Sequence, residues 1–276
     1  VPPAFGRYHE PFLGSGALFF DLWNRGALRH GARLTDTNAD LIGCYGAVRA
    51  RVEEVIGALQ QLADARQQSP AAHYYRVRDR LFNPARTSPD RPGQSEYSPE
   101  LAAMFLYLNR TGFNGLFRLN SRGAFNVPAG RYANPRICDA ANLRRVAAAL
   151  SAPGVQLAHA GYESVLDAAR EGDFIYFDPP YAPTSATARF TSYTANGFSD
   201  GDHERLQRVV IQLAERRCRV VLSNSATPIV SDLYETNRQV RGAGLRAYKV
   251  PARRAINSNP ARRGDVLEYV ISNVQV

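Results

Sequence analysis

Residues 172–181 read Gly-Asp-Phe-Ile-Tyr-Phe-Asp-Pro-Pro-Tyr, and no other stretch limits the possible folds as much. The apolar run 174–177 has the length and content of a short buried strand. Two prolines then forbid strand or helix continuation and stiffen the backbone. Asp178 and Tyr181 are thereby held at the carboxyl end of a strand, where open α/β sheets place their ligands. A rigid acceptor beside a flat ring suits a planar substrate that carries an amino group, such as a nucleobase. A plain strand followed by a Pro-rich turn would use the same residues, so the remainder of the chain has to decide.

The first segment reads as strand, glycine turn, helix, strand, helix. Residues 8–10 form a short strand, and residues 11–16, Pro-Phe-Leu-Gly-Ser-Gly, a turn. Residues 17–25 carry Leu18, Phe19, Leu22 and Trp23 at helical spacing before Gly26. A second strand, 32–35, ends at Asp36, and 38–50 is again helical. Residues 53–80 are helix-like with polar faces, 82–99 a loop rich in Pro, Ser and Gly, and 101–108 an apolar helix. Between 109 and 132 Gly, Asn, Arg and aromatics interleave without a sustained period. The α/β pattern returns with strands expected at 155–158, 174–177, 219–223 and 266–271 and an amphipathic helix at 204–216. One α/β sheet domain built from residues 1–43 and 138–276, interrupted by a mostly helical insert at 44–137, accounts for this order.

The glycine turn follows a strand and opens a helix, so Gly14 and Gly16 let the backbone bend tightly and approach a ligand. Asp36 ends the next strand roughly 20 residues on, the spacing at which a carboxylate reaches ribose hydroxyls in nucleotide-binding α/β folds. An adenosine compound is the expected ligand. A dinucleotide fits less well, because Phe19 stands where a third glycine would allow close helix packing. Glu10 beside a pyrophosphate would repel it, whereas it could accept hydrogen bonds from an ammonium group. S-adenosylmethionine carries such a group and no phosphate.

The net charge of +9 favours a polyanionic partner. Lys249 is the single lysine, and arginine's planar fork suits phosphate and guanine edges; GC-rich codons would produce the same bias but not the sign of the net charge. Cys44, Cys138 and Cys218 are scattered, which fits a reducing cytoplasm and argues against zinc. His9, His30, His73, His159 and His203 do not cluster, so no metal is expected. No apolar run reaches the roughly 20 residues that span a bilayer.

Several stretches, in one order, resemble the Dam-type (D12 class) DNA adenine-N6 methyltransferases. They are 10–16 (Glu-Pro-Phe-Leu-Gly-Ser-Gly), 35–42 (Thr-Asp-Thr-Asn-Ala-Asp-Leu-Ile), 74–78, 106–116 (Leu-Tyr-Leu-Asn-Arg-Thr-Gly-Phe-Asn-Gly-Leu), 125–132 (Phe-Asn-Val-Pro-Ala-Gly-Arg-Tyr), 178–181, 190–193 and 222–224. The resemblance implies a Rossmann-like methyltransferase sheet with an inserted target-recognition domain. It also implies methyl transfer from S-adenosylmethionine to the exocyclic amine of adenine in duplex DNA, with GATC as the default target and a cognate restriction endonuclease as an optional partner. Glu10, Pro11, Phe12, Gly14, Gly16, Asp36, Asn38 and Asp178 then fall to the cofactor, and Asp178, Pro179, Pro180 and Tyr181 to catalysis. The family's usual opening segment, Lys-Trp-x-Gly-Gly-Lys-like, has no counterpart in the nine residues before Glu10, a departure that bears on cofactor affinity.

Adenine in a stacked duplex hides its amine, so it has to be flipped out. Tyr181 could stack on the flipped ring, while the Asp178 carboxylate and the Pro179 carbonyl draw the amine towards tetrahedral geometry. Arg110 to Tyr132 is the candidate for reading DNA, with Arg118, Arg122 and Arg131 among Phe113, Asn114, Asn120 and Asn126. By the resemblance, Phe113 inserts into the duplex, and Leu116, Arg118, Pro128 and Tyr132 contribute to reading the target; Arg118 is the candidate for guanine. Phe125 and Val127 are expected in the core, and Arg76, Arg78 and Arg80 against phosphate or solvent. Asn-rich turns often satisfy only their own backbone. Ser223 and Asn224 either border the adenine pocket or cap a helix. Two rival functions stay open: methylation of another planar amine or amide, such as protein glutamine, and DNA binding with impaired or no methyl transfer.

Overall fold

The computed structural model describes residues 1–90, 93–183, 198–253 and 265–274. Its first half-sheet grows from β1 (Tyr8–Glu10), β2 (Ala32–Asp36) and β3 (Val155–His159), and its second from β4 (Phe174–Phe177), β5 (Arg219–Ser225), β6 (Arg246–Arg253) and β7 (Asp265–Ser272). Among the described residues these seven strands form one sheet in the order β3-β2-β1-β4-β5-β7-β6. β1 pairs in parallel with both β2 and β4, so the winding reverses between β1 and β4. A crevice opens beyond the carboxyl ends of two strands at such a reversal. β7 lies antiparallel between β5 and β6.

The alternation of side chains along β4 sorts the core into two layers. Ile175 and Phe177 pack with Leu206, Val210 and Leu213 of α8 (Asp200–Glu215). Phe174 and Tyr176 face the other way, towards Tyr8, Leu34 and Phe19 of α1 (Ala17–Asn24) and Ala149 and Leu150 of α6 (Ala140–Leu150). α8 starts at Ser199 in a capping box closed by Asp202, which accounts for its sharp beginning. Short helices α7 (Val165–Ala168), α9 (Pro228–Val230) and α10 (Arg238–Gly242) complete the connections on the β4 and β5 side.

Between β2 and β3 the chain builds a separate hydrophobic cluster. Its spine is α2 (Ala39–Arg66), which breaks helical geometry at Arg51 (φ −144°) and runs through the boundary expected at residue 44. α5 (Pro99–Thr111) packs along it. The segment 82–99, expected as loop, opens with ordered helix: α3 (Pro70–Arg76) continues through a π-helical stretch, Val77–Phe82, into α4 (Asn83–Arg86). Residues 111–130, where the sequence shows no period, form an irregular hairpin with bridges Gly112–Ala129 and Leu119–Phe125. No helix among the described residues is long and apolar enough to cross a membrane.

Candidate active site

The crevice at the β1–β4 reversal is a cleft of about 450 Å³ lined by Glu10, Phe12, Leu13, Gly14, Ser15, Ala17, Leu18, Asp21, Tyr176 and Asp178. Period-two geometry explains why Tyr176 and Asp178 point together. Gly14 and Gly16 both take positive φ, 46° and 63°. At Gly16 a Cβ would meet the Phe20 ring at 3.0 Å, so this turn excludes larger residues. Asp36 ties the turn down: Gly14 N donates to its Oδ2 (3.0 Å) and Asn38 N to its Oδ1 (2.8 Å). Burial raises the Asp36 carboxyl above its ordinary range.

Glu10 is buried at the floor of the cleft. Its Oε2 accepts from Tyr8 Oη at 2.9 Å and from Phe19 N, in the first turn of α1, at 3.2 Å. A helix N-terminus favours a carboxylate, yet loss of water outweighs these donors, and the carboxyl is pushed up to about 8. Asp178 lies exposed at the mouth of the cleft, and its Oδ1 accepts from Ser223 Oγ at 2.7 Å. Loss of water around its carboxyl against the cleft raises its pKa, while bonds from Ser223 and Tyr181 pull it back. Tyr181 is half-buried, with its hydroxyl 3.4 Å from Glu268 Oε2. Ser223 therefore borders the site from within β5 and caps no helix. Asn224 accepts from Ala182 N and Ser225 N, each at 2.9 Å, and so fixes the chain just past Tyr181.

The hairpin carries the other predicted residues. Arg118 and Asn126 meet across it: Arg118 Nε donates to Asn126 Oδ1 at 2.8 Å, and Asn126 N to Arg118 O at 3.1 Å. Phe113 and Tyr132 are 47% and 40% exposed. Arg110, Asn114, Arg122, Pro128 and Arg131 are also exposed, and Leu116 is half-buried. Asn114 sits at φ 53° and turns the chain after Phe113.

Residues 2–255 match the family described as D12 class N6 adenine-specific DNA methyltransferase. The chain belongs to that family. Among its relatives is the Type II methyltransferase M1.LlaDCHI of Lactococcus lactis subsp. cremoris, 34% identical over 99% of this chain and 88% of that protein. M.MjaIII, a Type II methyltransferase of Methanocaldococcus jannaschii, is 36% identical over 97% and 88%. The DNA adenine methylase of Escherichia coli K12 is 36% identical over 95% of this chain and 84% of that protein. The protein is an adenine-specific DNA methyltransferase.

In this methyltransferase the fold brings Glu10, Phe12, Gly14 and Asp178 to one cleft and leaves other expected residues outside its lining. Asn38 accepts from Asp40 N and Leu41 N and caps α2. Asn120 Oδ1 accepts from Arg122 N and Ala124 N, so its carbonyl serves the hairpin turn. Pro11, Gly16 and Asp36 shape the cleft without lining it. Arg78, expected against phosphate or solvent, donates from Nη1 to Val127 O at 3.0 Å and lies over the Tyr75 ring at 4.7 Å. Tyr8, Tyr176 and Glu268 were not anticipated. Tyr8 was findable, since it stands two residues before Glu10 in a strand and must share its face. The motif at 190–193 lies outside the described residues.

Proposed function

We propose that the protein moves a methyl group from S-adenosylmethionine to the N6 amine of an adenine flipped out of duplex DNA, at GATC. One observation carries the reading: Glu10 and Asp178, from opposite halves of the chain, line the same cleft. The cofactor fits the donor set. The lining residues include three acids, Glu10, Asp21 and Asp178, and no lysine or arginine, which suits a cation and opposes a pyrophosphate. Burial raises the Glu10 carboxyl to about 8, and an ammonium group beside it would favour the charged form.

When bound, S-adenosylmethionine supplies an activated methyl group on a sulfonium. The protein's own part is positioning and electrostatics. Ser223 and Tyr181 both bond the Asp178 carboxylate, which with about four acceptor sites keeps room for the amine hydrogens of adenine. Positive charge grows on that nitrogen in the transition state, so a fixed carboxylate stabilises the transition state more than the ground state. Tyr181 offers its ring to the base. On the hairpin, Arg118 Nε is engaged by Asn126, and its two terminal nitrogens make the fork that guanine O6 and N7 would take. Methyl transfer itself needs no companion endonuclease.

The test is to incubate the protein with S-adenosylmethionine and random-sequence duplex DNA, then map methylated bases by sequencing. N6-methyladenine confined to GATC is expected. Transfer to another motif removes the target assignment. Transfer to a protein glutamine in a parallel reaction, or DNA binding without any transfer, removes the activity.

A further inference from the structure

Among the described residues the segment 123–127 has no β-sheet partner on its inner side, and helix side chains take that place. Tyr74 Oη and Arg78 Nη1 donate to Val127 O, at 2.9 and 3.0 Å. Asn83 Nδ2 donates to Phe125 O at 3.0 Å, and Phe125 N returns a bond to Asn83 Oδ1 at 2.8 Å. Arg86 Nη1 donates to Gly123 O at 2.5 Å. The helical path 74–86 thus runs antiparallel to the extended segment and holds every second residue of it. The spacings agree on average, since two extended residues cover about 6.6 Å and the steps from Arg78 to Asn83 and from Asn83 to Arg86 average four helical residues, about 6 Å.

The π-helical stretch, Val77–Phe82, makes the match possible. Five α-helical residues would turn Asn83 about 140° away from the face of Arg78. In a π turn, i and i+5 lie on one face. The odd residues of the segment therefore face inward, with Phe125 and Val127 buried. Asn126, which holds Arg118, and the exposed Pro128 alternate with them.

Arg86 also joins this lattice to the cleft. Its Nε and Nη2 make a two-point pair with Asp40 Oδ1 and Oδ2, both at 2.7 Å, and Tyr97 Oη donates to Asp40 Oδ1 at 2.7 Å. Asp40 is in the first turn of α2, capped by Asn38, whose own N–H donates to the Asp36 that anchors Gly14. We propose that Arg86 is a positioning residue for target discrimination: clamped on Asp40, it fixes the height of Gly123 and so aims the Arg118–Asn126 pair at the base edges. This rests on the DNA-reading role assigned to the hairpin above.

R86K keeps the charge and loses the planar fork that binds Asp40 and Gly123 together. Initial methylation rates on the best duplex and on each single-base variant give its discrimination, with wild type alongside. R86K is expected to hold cofactor affinity within about twofold and its melting temperature within a few degrees, and to lose about tenfold in discrimination (about 1.4 kcal/mol). The loss should fall at the base pair that Arg118→Ala relaxes. The R86K/R118A double variant should discriminate there no worse than R118A alone. Unchanged discrimination in R86K, an equal loss of rate on all duplexes, or additive losses in the double variant overturns the proposal. If R86K does not fold, N83D decides: it still accepts from Phe125 N but cannot donate to Phe125 O, and unchanged discrimination in that variant is equally fatal. A wild type that methylates no duplex removes the assigned function and this inference with it. A selective wild type with an equally selective R86K removes the inference alone.

Discussion

The cleft and the hairpin are built in opposite ways. The cleft stands on the carboxyl ends of sheet strands, its acids are held by neighbours close in sequence or adjacent in the sheet, and its floor is buried. The hairpin projects exposed arginines and aromatics, and its inner edge hangs on side chains from residues 74–86. Parallel strands hold each other's backbones whatever the side chains are, so single substitutions in the cleft should change chemistry before shape. A segment held by Tyr74, Arg78, Asn83 and Arg86 changes shape when those residues change.

The largest expected effect is in the cleft. Asp178→Ala should lower single-turnover methyl transfer by at least ~10²–10³-fold, the scale on which one transition-state partner acts, with duplex affinity kept in filter binding. Near-normal turnover would take Asp178 out of the chemistry. Glu10→Gln comes next. A charge-assisted hydrogen bond is worth about 1.5–3 kcal/mol, so the affinity for S-adenosylmethionine in calorimetry should fall roughly 10–100-fold.

The same change has an opposite effect on folding stability. A carboxyl raised to about 8 in the native state keeps its proton where the unfolded chain has lost it. The native state then binds more protons, and stability falls as pH rises from about 4.5 to about 8. Urea midpoints of Glu10→Gln should fall less than those of wild type across that window; parallel curves would mean that Glu10 ionises normally.

The smaller effects lie in the hairpin and sharpen the contrast. Arg118→Ala should relax selectivity at one base pair by ~1–3 kcal/mol, read from rates on single-base variants. An even loss across all duplexes would make Arg118 a phosphate contact. Asn120→Ala, which removes two turn hydrogen bonds, should cost about 0.5–2 kcal/mol in denaturant melts and leave the cleft's affinity for the cofactor unchanged. A change in that affinity would show the two regions to be less separate than their construction implies.

The contrast also explains what could be read from the sequence. The cleft lies in contiguous motifs because a strand end, a glycine turn and a proline corner are local events. β1, β2 and β4 were therefore legible, as were Glu10, Gly14 and Asp178. β6 was not: it is the sheet's edge, it mixes Arg246, Lys249 and Arg253 among its apolar residues, and it carries Pro251, which an edge tolerates. Arg78 and Arg86 look like any surface arginine until the carbonyls of Val127 and Gly123, far along the chain, come within reach. Ser223 was ambiguous between a pocket wall and a cap, and only the pairing of β5 with β4 settles it beside Asp178.

The raised carboxyl at the floor of the cleft should carry a thermochemical signature. On the proposed reading, Glu10, with its carboxyl raised to about 8, and the amino-acid ammonium of the methyl donor would each hold a proton below that pH, and the ion pair they form would keep only one. Docking the methyl donor should therefore expel close to one proton at pH 6.5. Its calorimetric heat should then shift between phosphate and Tris by the difference in those buffers' ionisation enthalpies, a shift that fades towards pH 9 and is absent in Glu10→Gln.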